Sequence, residues 1–303
     1  VDDKTRDLDP VTGNEFFIGY LPAMPEGVAR RVRLVVAAVL VAAGASALTL
    51  GAFQRHAPES SWGDEVVTLK GVVVLDPYPR LVVVEQAGGG ANAGGGRRES
   101  VLLVAQGKHG LNNPADYCGG DAALERVNAS FNAELRQTLR DLSDAQATVE
   151  VRGTVLARVG PGGVPRRMLE VSSSAVELKR SRDLGVTGEQ SSAALGSVER
   201  LGEVELVGEI VDPKCYYGAM QPGSGQTHKA CAVRCISGGI APVLVAMDAR
   251  GDWSPYLLTD KEGRPCNAAL MGVVGEPVSV KGTLTRRGEA LMLAIDPALV
   301  ERR

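Results

Sequence analysis

Four side chains able to bind a metal, pair as disulfides or attack a substrate fall together in residues 212–239, DPKCYYGAMQPGSGQTHKACAVRCISGG. They are Cys215, His228, Cys231 and Cys235, and one further thiol, Cys266, follows. Three sulfurs and an imidazole form a ligand set that zinc, copper or an iron–sulfur cluster could use. The same stretch could instead be cross-linked, with Cys215, Cys231, Cys235 and Cys266 pairing off as two disulfides. His228 would then be an ordinary polar residue and Cys118 would stay unpaired. A catalytic thiol needs a base and an oriented partner, and nothing beyond His228 presents itself. The remaining histidines, His56 and His109, stand in no recognisable catalytic context. No catalytic residue is therefore assigned, and the chain reads as a non-enzyme with no cofactor beyond such a metal or cluster.

The elements that must position these residues follow from local pattern. His228, Cys231 and Cys235 are spaced i, i+3 and i+7, so a helix would place them on one face, with Gly238 and Gly239 as its C-terminal cap. Cys215 follows the strand pattern VELVGEIV, whose end could be brought over that helix.

The compartment decides how thiols behave, and one segment speaks to it. Residues 34–53, LVVAAVLVAAGASALTLGAF, carry no charge, and a helix of that length spans a bilayer core of about 30 Å. Arg30, Arg31 and Arg33 crowd its N-terminal edge, which by the positive-inside rule places the N-terminus in the cytoplasm. Everything after the helix is then expected in the periplasm of a bacterium, anchored to the inner membrane, where oxidising conditions favour disulfides. The preceding tail holds Phe16, Phe17, Ile18, Tyr20 and Leu21, apolar residues with no core of their own. They could lie at the lipid headgroups or dock on a partner's membrane domain.

Past the helix the chain repeats itself. TLKGVVVLDPYPR (68–80) resembles ELVGEIVDPKCYY (205–217), VLLVAQGKHG (101–110) resembles VLVAMDARGD (243–252), and VEVRGTVLAR (149–158) resembles VSVKGTLTRR (278–287). The order is kept and the offset is nearly constant, which indicates a duplicated module. Short apolar runs separated by Gly, Pro and Asn clusters read as β-strands. The closing segments, each with a Gly at a bend and then a hairpin, look like the end of an oligonucleotide/oligosaccharide-binding (OB) barrel. Helix is expected in inserts, above all in residues 119–146, where Leu124, Val127, Phe131, Leu135, Leu139 and Leu142 fall on one face. Residues 85–100 are a Gly-rich loop and 181–200 a polar linker. A net charge of −3 leaves no electrostatic footprint for nucleic acid.

The second copy carries a further signal. Asp212-x-x-Cys215, His228-x-x-Cys231-x-x-x-Cys235, Gly238, Tyr256 and the Gly282–Thr283 strand resemble a family of small exported bacterial β-domains of unknown function. The resemblance implies an exported β-domain and supplies no activity. The first copy departs from the pattern, with LDPYPR where the second has VDPKCYY, and so reads as scaffold.

The expected architecture is mainly β: a cytoplasmic tail (1–33), a single transmembrane helix (34–53), and two tandem OB-like modules (64–180 and 201–303) joined by a linker (181–200), with helical inserts. The expected function is that of a non-catalytic accessory subunit of a larger bacterial membrane complex, respiratory or otherwise electron-transferring. Its partners would be lipid and other membrane subunits, with no nucleic acid. Two alternatives stand beside it, a metal or iron–sulfur redox module and an envelope ligand-binding protein.

Overall fold

The computed structural model describes residues 26–53, 60–84, 98–145, 148–159, 165–172, 197–247 and 251–303. The aromatic tail of Phe16, Phe17, Ile18, Tyr20 and Leu21, most of the Gly-rich loop and most of the linker lie outside them.

The first helix, α1 (Glu26–Phe53), is 28 residues long and begins before the apolar run, taking in Arg30, Arg31 and Arg33. Its stretch Gly27–Leu50 is long and apolar enough to cross a membrane, and its Val and Leu side chains are exposed on every face.

Residues 58–303 form a separate compact unit containing two closed five-stranded barrels. In the first, β1 (Ser60–Val74), β2 (Arg80–Val84), β3 (Arg98–Val104), β4 (Thr148–Val159) and β5 (Pro165–Val171) run β1-β2-β3-β5-β4 around the ring, closed by β1 against β4. All neighbours are antiparallel except β3 and β5. The second barrel repeats this connectivity with β6 (Val198–Val211), β7 (Val243–Met247), β8 (Trp253–Asp260), β9 (Pro277–Arg287) and β10 (Ala290–Ile295), and here β8 and β10 are the parallel pair. A short strand, β11 (Glu301–Arg302), adds to β9.

Closing so small a ring forces strands to cross at very short range, and the repeat solves this with the same residue at the same places. Gly71 and Gly208 occupy matching positions in β1 and β6, and Gly153 and Gly282 in β4 and β9. Each sits opposite two strands at once, and a Cβ there would collide with the carbonyl oxygen of Val82, Val245, Glu170 or Ala294 respectively.

The copies differ in what they insert. Between β3 and β4 lie α2 (Pro114–Tyr117), α3 (Ala122–Ser130) and α4 (Ala133–Asp144). The single amphipathic helix expected here is broken at Asn132, which has the left-handed φ of 55°. Leu135, Leu139 and Leu142 of α4 cap the first barrel's core with Leu81, Val101 and Val151. Val127 and Phe131 remain exposed, because the break turns α3 off that axis. Arg136 is buried and donates to the α3 carbonyls of Asn128 and Ala129 and to Phe131, so it caps that helix rather than joining a surface ion pair. In the second copy the large insert lies instead between β6 and β7 and contains α5 (Lys229–Ser237), while α6 (Asn267–Leu270) stands between β8 and β9.

The two barrels share a core. Tyr78, Val104, Leu156 and Met168 of the first pack with Val211, Tyr216, Tyr217, Ile240, Val243 and Leu257 of the second. Polar ties reinforce this seam. Tyr78 donates to Asn267 Oδ1 at 2.9 Å and accepts from the Cys266 N–H at 3.2 Å. Arg158 stacks 3.9 Å over the Tyr216 ring and donates to its carbonyl at 2.7 Å. Lys214, fully buried, donates to the carbonyls of Ala105 and Gly107, and its Nζ lies 2.6 Å from Glu170 Oε2 as an ion pair rather than a well-directed hydrogen bond.

Candidate metal centre

The site begins where β6 ends. Asp212, wholly buried, accepts the Cys215 N–H on Oδ1 at 2.9 Å and the Tyr216 N–H on its main-chain oxygen at 3.1 Å. These bonds tighten Asp-Pro-Lys-Cys into a turn that runs into a single π-helical turn, Cys215–Ala219. The other oxygen, Oδ2, lies 3.0 Å from His228 Nε2. His228 is the residue flanking the N-terminus of α5, and Gly238 and Gly239 end the helix as the sequence predicts, Gly239 with a left-handed φ of 95°. Helix α5 uses two faces. Ala232 and Ile236 enter the core of the second barrel, while Cys231 and Cys235 point to the seam.

The ligand atoms of Cys215, Cys231 and Cys235 lie within 4.8 Å of one another, as do those of Asp212, Cys215 and His228, so Cys215 belongs to both groups. The sulfurs of Cys215 and Cys231 are 3.9 Å apart. Both disulfides expected from the compartment are absent: all five cysteines are free thiols. A disulfide needs its sulfurs at about 2.05 Å. Cys266 lies outside the group, in the second barrel's core, where its N–H is taken by Tyr78 and burial pushes its thiol up to about 12. Cys118 is also apart, with its sulfur 3.6 Å from Asn128 Nδ2.

Two residues that sequence reasoning did not assign complete the setting. Asp212 was legible as part of the Asp-x-x-Cys pattern but not as the partner of His228. Lys108, on the loop after β3 of the first barrel, places Nζ 2.7 Å from Cys231 Sγ, and that contact holds its ammonium above the ordinary lysine value. Nothing in the sequence signals a contact across 123 residues. The loop is seated by the Gly110 N–H donating to Gly238 O at 2.9 Å, and a Cβ at either Gly110 or Gly238 would collide with backbone across the seam. The copy read as scaffold therefore supplies one wall of the site.

The geometry discriminates among the chemistries. Asp212 gives His228 the oriented partner that a Cys–His nucleophile would require, yet Cys215 is only 5% exposed. A hydrogen bond with Cys235, followed by burial, pushes the Cys215 thiol far above the usual range, so in the metal-free protein it is a neutral thiol. That disfavours attack on a substrate. An iron–sulfur cluster spreads its cysteines around a multi-atom inorganic core, whereas these three sulfurs close on a space for one ion. With metal–sulfur bonds of about 2.3 Å, tetrahedral coordination places sulfurs about 3.8 Å apart, close to the 3.9 Å found for Cys215 and Cys231. A His held by a carboxylate through one ring nitrogen leaves the other free to ligate, the arrangement that orients imidazole ligands in metal sites. Three thiolates exceed a divalent ion by one negative charge, and Lys108 is placed to offset it. The residues present therefore fit a single thiophilic ion.

Compared with known proteins, the chain matches no family model, no curated protein and no solved structure, so the reading of this site rests on its own geometry.

Proposed function

We propose that this is a membrane-tethered, non-catalytic metal-centre protein. Cys215, Cys231, Cys235 and His228 hold one thiophilic ion, zinc before copper(I), at the seam of two OB-like barrels. The observation that carries the reading is three free thiols within 4.8 Å of one another, one of which, Cys215, also lies within that distance of a carboxylate-held histidine, with only Cys231 half-buried and the rest buried. Strand order β1-β2-β3-β5-β4 with one parallel pair is the basis for reading each barrel as OB-like, and α1 is read as the membrane anchor. A closed ligand set suits a structural or storage ion more than an open Lewis acid, and when bound the ion would cross-link the end of β6 to α5, with Lys108 of the first barrel beside it. The likeness to exported β-domains with the same Cys/His pattern agrees with this reading.

Elemental analysis and intact mass of residues 58–303, exported to a periplasm and purified without chelator, test it together. One equivalent of zinc with five free thiols is expected. A mass lowered by two disulfides' worth of hydrogen and no bound metal overturns the proposal. Copper in place of zinc would turn the centre toward electron transfer.

A second reading concerns what the tether serves. The apolar side chains of α1 are uncovered around its whole circumference, and its AAGASA stretch is small enough for close packing on another helix. This favours an accessory subunit of a larger membrane complex. Migration of the detergent-solubilised native protein as a monomer would count decisively against that assembly.

A further inference from the structure

A second polar cavity lies in the seam, distinct from the cysteine group. It measures about 60 Å³ and opens to the surface between β2, β3 and β5 of the first barrel and β7, β8 and β10 of the second. Its apolar wall includes Leu257, yet three buried side-chain polar atoms of its lining residues have no partner among the described residues: Arg80 Nε, Arg166 Nε and Ser100 Oγ.

Arg80 is the unusual member. It is 2% exposed, and its terminal nitrogens reach only the Asp76 carbonyl at 2.8 Å and the Met292 sulfur at 4.0 Å. No carboxylate among the described residues lies within ion-pairing distance of Arg80 or Arg166. The one carboxylate–arginine pair in the wall, Glu99 with Arg167, is already closed on itself. Burial, and then the nearby charge of Arg287, lower Arg80 to about 10. The Asp76 carboxylate acts on Arg80 from beyond ion-pairing distance, and a buried guanidinium with no carboxylate in direct contact is among the costlier arrangements in a folded protein. Arg166 is steered toward the same space by donating to the Glu289 carbonyl at 3.0 Å. Two guanidinium Nε–H groups and a hydroxyl, unpartnered on residues that line one small pocket, are a set of donors for a group with several acceptor oxygens.

We infer that the cavity between the barrels binds a small oxyanion, of the carboxylate or phosphate class, held by Arg80, Arg166 and Ser100. The volume admits one such ion or a few waters. The inference does not depend on the metal centre. A bound anion would tie β2, β3 and β5 of the first barrel to one another at the seam and so would stabilise that barrel.

The test is thermal unfolding of the 303-residue chain in detergent, with sodium chloride replaced at constant ionic strength by sodium phosphate, sulfate or acetate. At least one oxyanion should raise the midpoint by several degrees along a saturating curve, as binding to the folded state alone requires. Arg80→Lys keeps the charge and removes Nε, and Arg166→Met removes the second donor. Each should abolish the saturable rise. If either variant lacks a cooperative transition, Ser100→Ala, which removes a single hydroxyl, should shift the curve to higher anion concentration. Equal midpoints in chloride and in every oxyanion would mean that water fills the cavity and would overturn the inference. So would a saturable rise that survives unchanged in Ser100→Ala and Arg166→Met.

Discussion

Lys108 Nζ stands 2.7 Å from Cys231 Sγ, so an ammonium from the first barrel touches a thiol on the inserted helix of the second. If the three cysteines hold an ion as thiolates, removing that charge leaves the centre with an uncompensated negative charge in a buried place. Lys108→Met is expected to weaken metal binding by about 10- to 100-fold, the usual scale for groups just outside the ligand set. Lys108→Arg should retain most of the affinity. Competition with a chromophoric chelator measures both, and equal affinity in Lys108→Met and the parent would remove Lys108 from the centre.

The cysteines separate into two classes by position, and substitution should separate them in the same way. Cys215→Ser, Cys231→Ser and Cys235→Ser should each reduce bound metal to well below one equivalent, whereas Cys266→Ser and Cys118→Ser should keep it. Loss of metal in Cys266→Ser with the fold intact by circular dichroism would contradict the grouping.

Lys214 and Glu170 bury opposite charges across the seam. Lys214→Met leaves Glu170 facing Ala105 and Gly107 carbonyls without a cation, and should lower stability by about 3–5 kcal/mol. Combining it with Glu170→Leu removes the orphaned charge and should recover much of the loss. Urea unfolding of the four-member cycle gives the coupling directly, and an additive cycle would show that the pair contributes nothing.

His109 supplies a pH dependence. Its ring stacks on Phe131 at 3.9 Å, its Nδ1 is buried without a partner among the described residues, and burial, with Arg234 and Arg136 nearby, holds its folded value below the ordinary 6.5. A histidine whose folded value is depressed stabilises the fold fully above pH 6.5, and that contribution is lost as pH falls through the folded value. Stability should therefore be level from about pH 8 to 7 and decline toward pH 5 as the unfolded chain takes up a proton that the fold resists. His109→Gln should flatten that decline relative to the parent. A parallel decline in both proteins would assign the effect to other groups.

Gly208→Ala places a Cβ against the Val245 carbonyl at the tightest crossing of the second barrel, and Gly71→Ala does the same against Val82 in the first. Each should cost about 1–3 kcal/mol, as overpacked sites do. Gly107→Ala, in open space, has no such clash and serves as the control for steric effects, with a left-handed φ of 75° as its own smaller penalty.

Much of this fold was written locally. The repeat matches place Gly71 with Gly208 and Gly153 with Gly282, and those pairs prove to be the same bends in two rings of the same connectivity. The spacing of His228, Cys231 and Cys235, with Gly238 and Gly239 behind them, predicts α5 as it stands. The long helix predicted over residues 119–146 failed because periodicity records which residues are apolar, not whether one backbone angle will break the axis. Asn132 does so, and Phe131 finds His109 instead of the core. The expectation that Cys266 pairs with the other thiols failed because its side chain is packed in the core of the second barrel, apart from the three that come together. The wall supplied by Lys108 and the tie of Lys214 to Glu170 join residues far apart in the chain, and composition and spacing carry no trace of either.

Tyr78 occupies the part of the first copy where the cysteine pattern is missing, at the position that the repeat match gives to Cys215. Its ring is 1% exposed and its hydroxyl is bonded inside the other barrel. What reads as decay of a motif is thus a division of labour. One copy carries the cysteine group, and the other carries a tyrosine peg that fits its sibling. A gene fragment encoding either barrel alone would expose the half of the seam that its twin now covers.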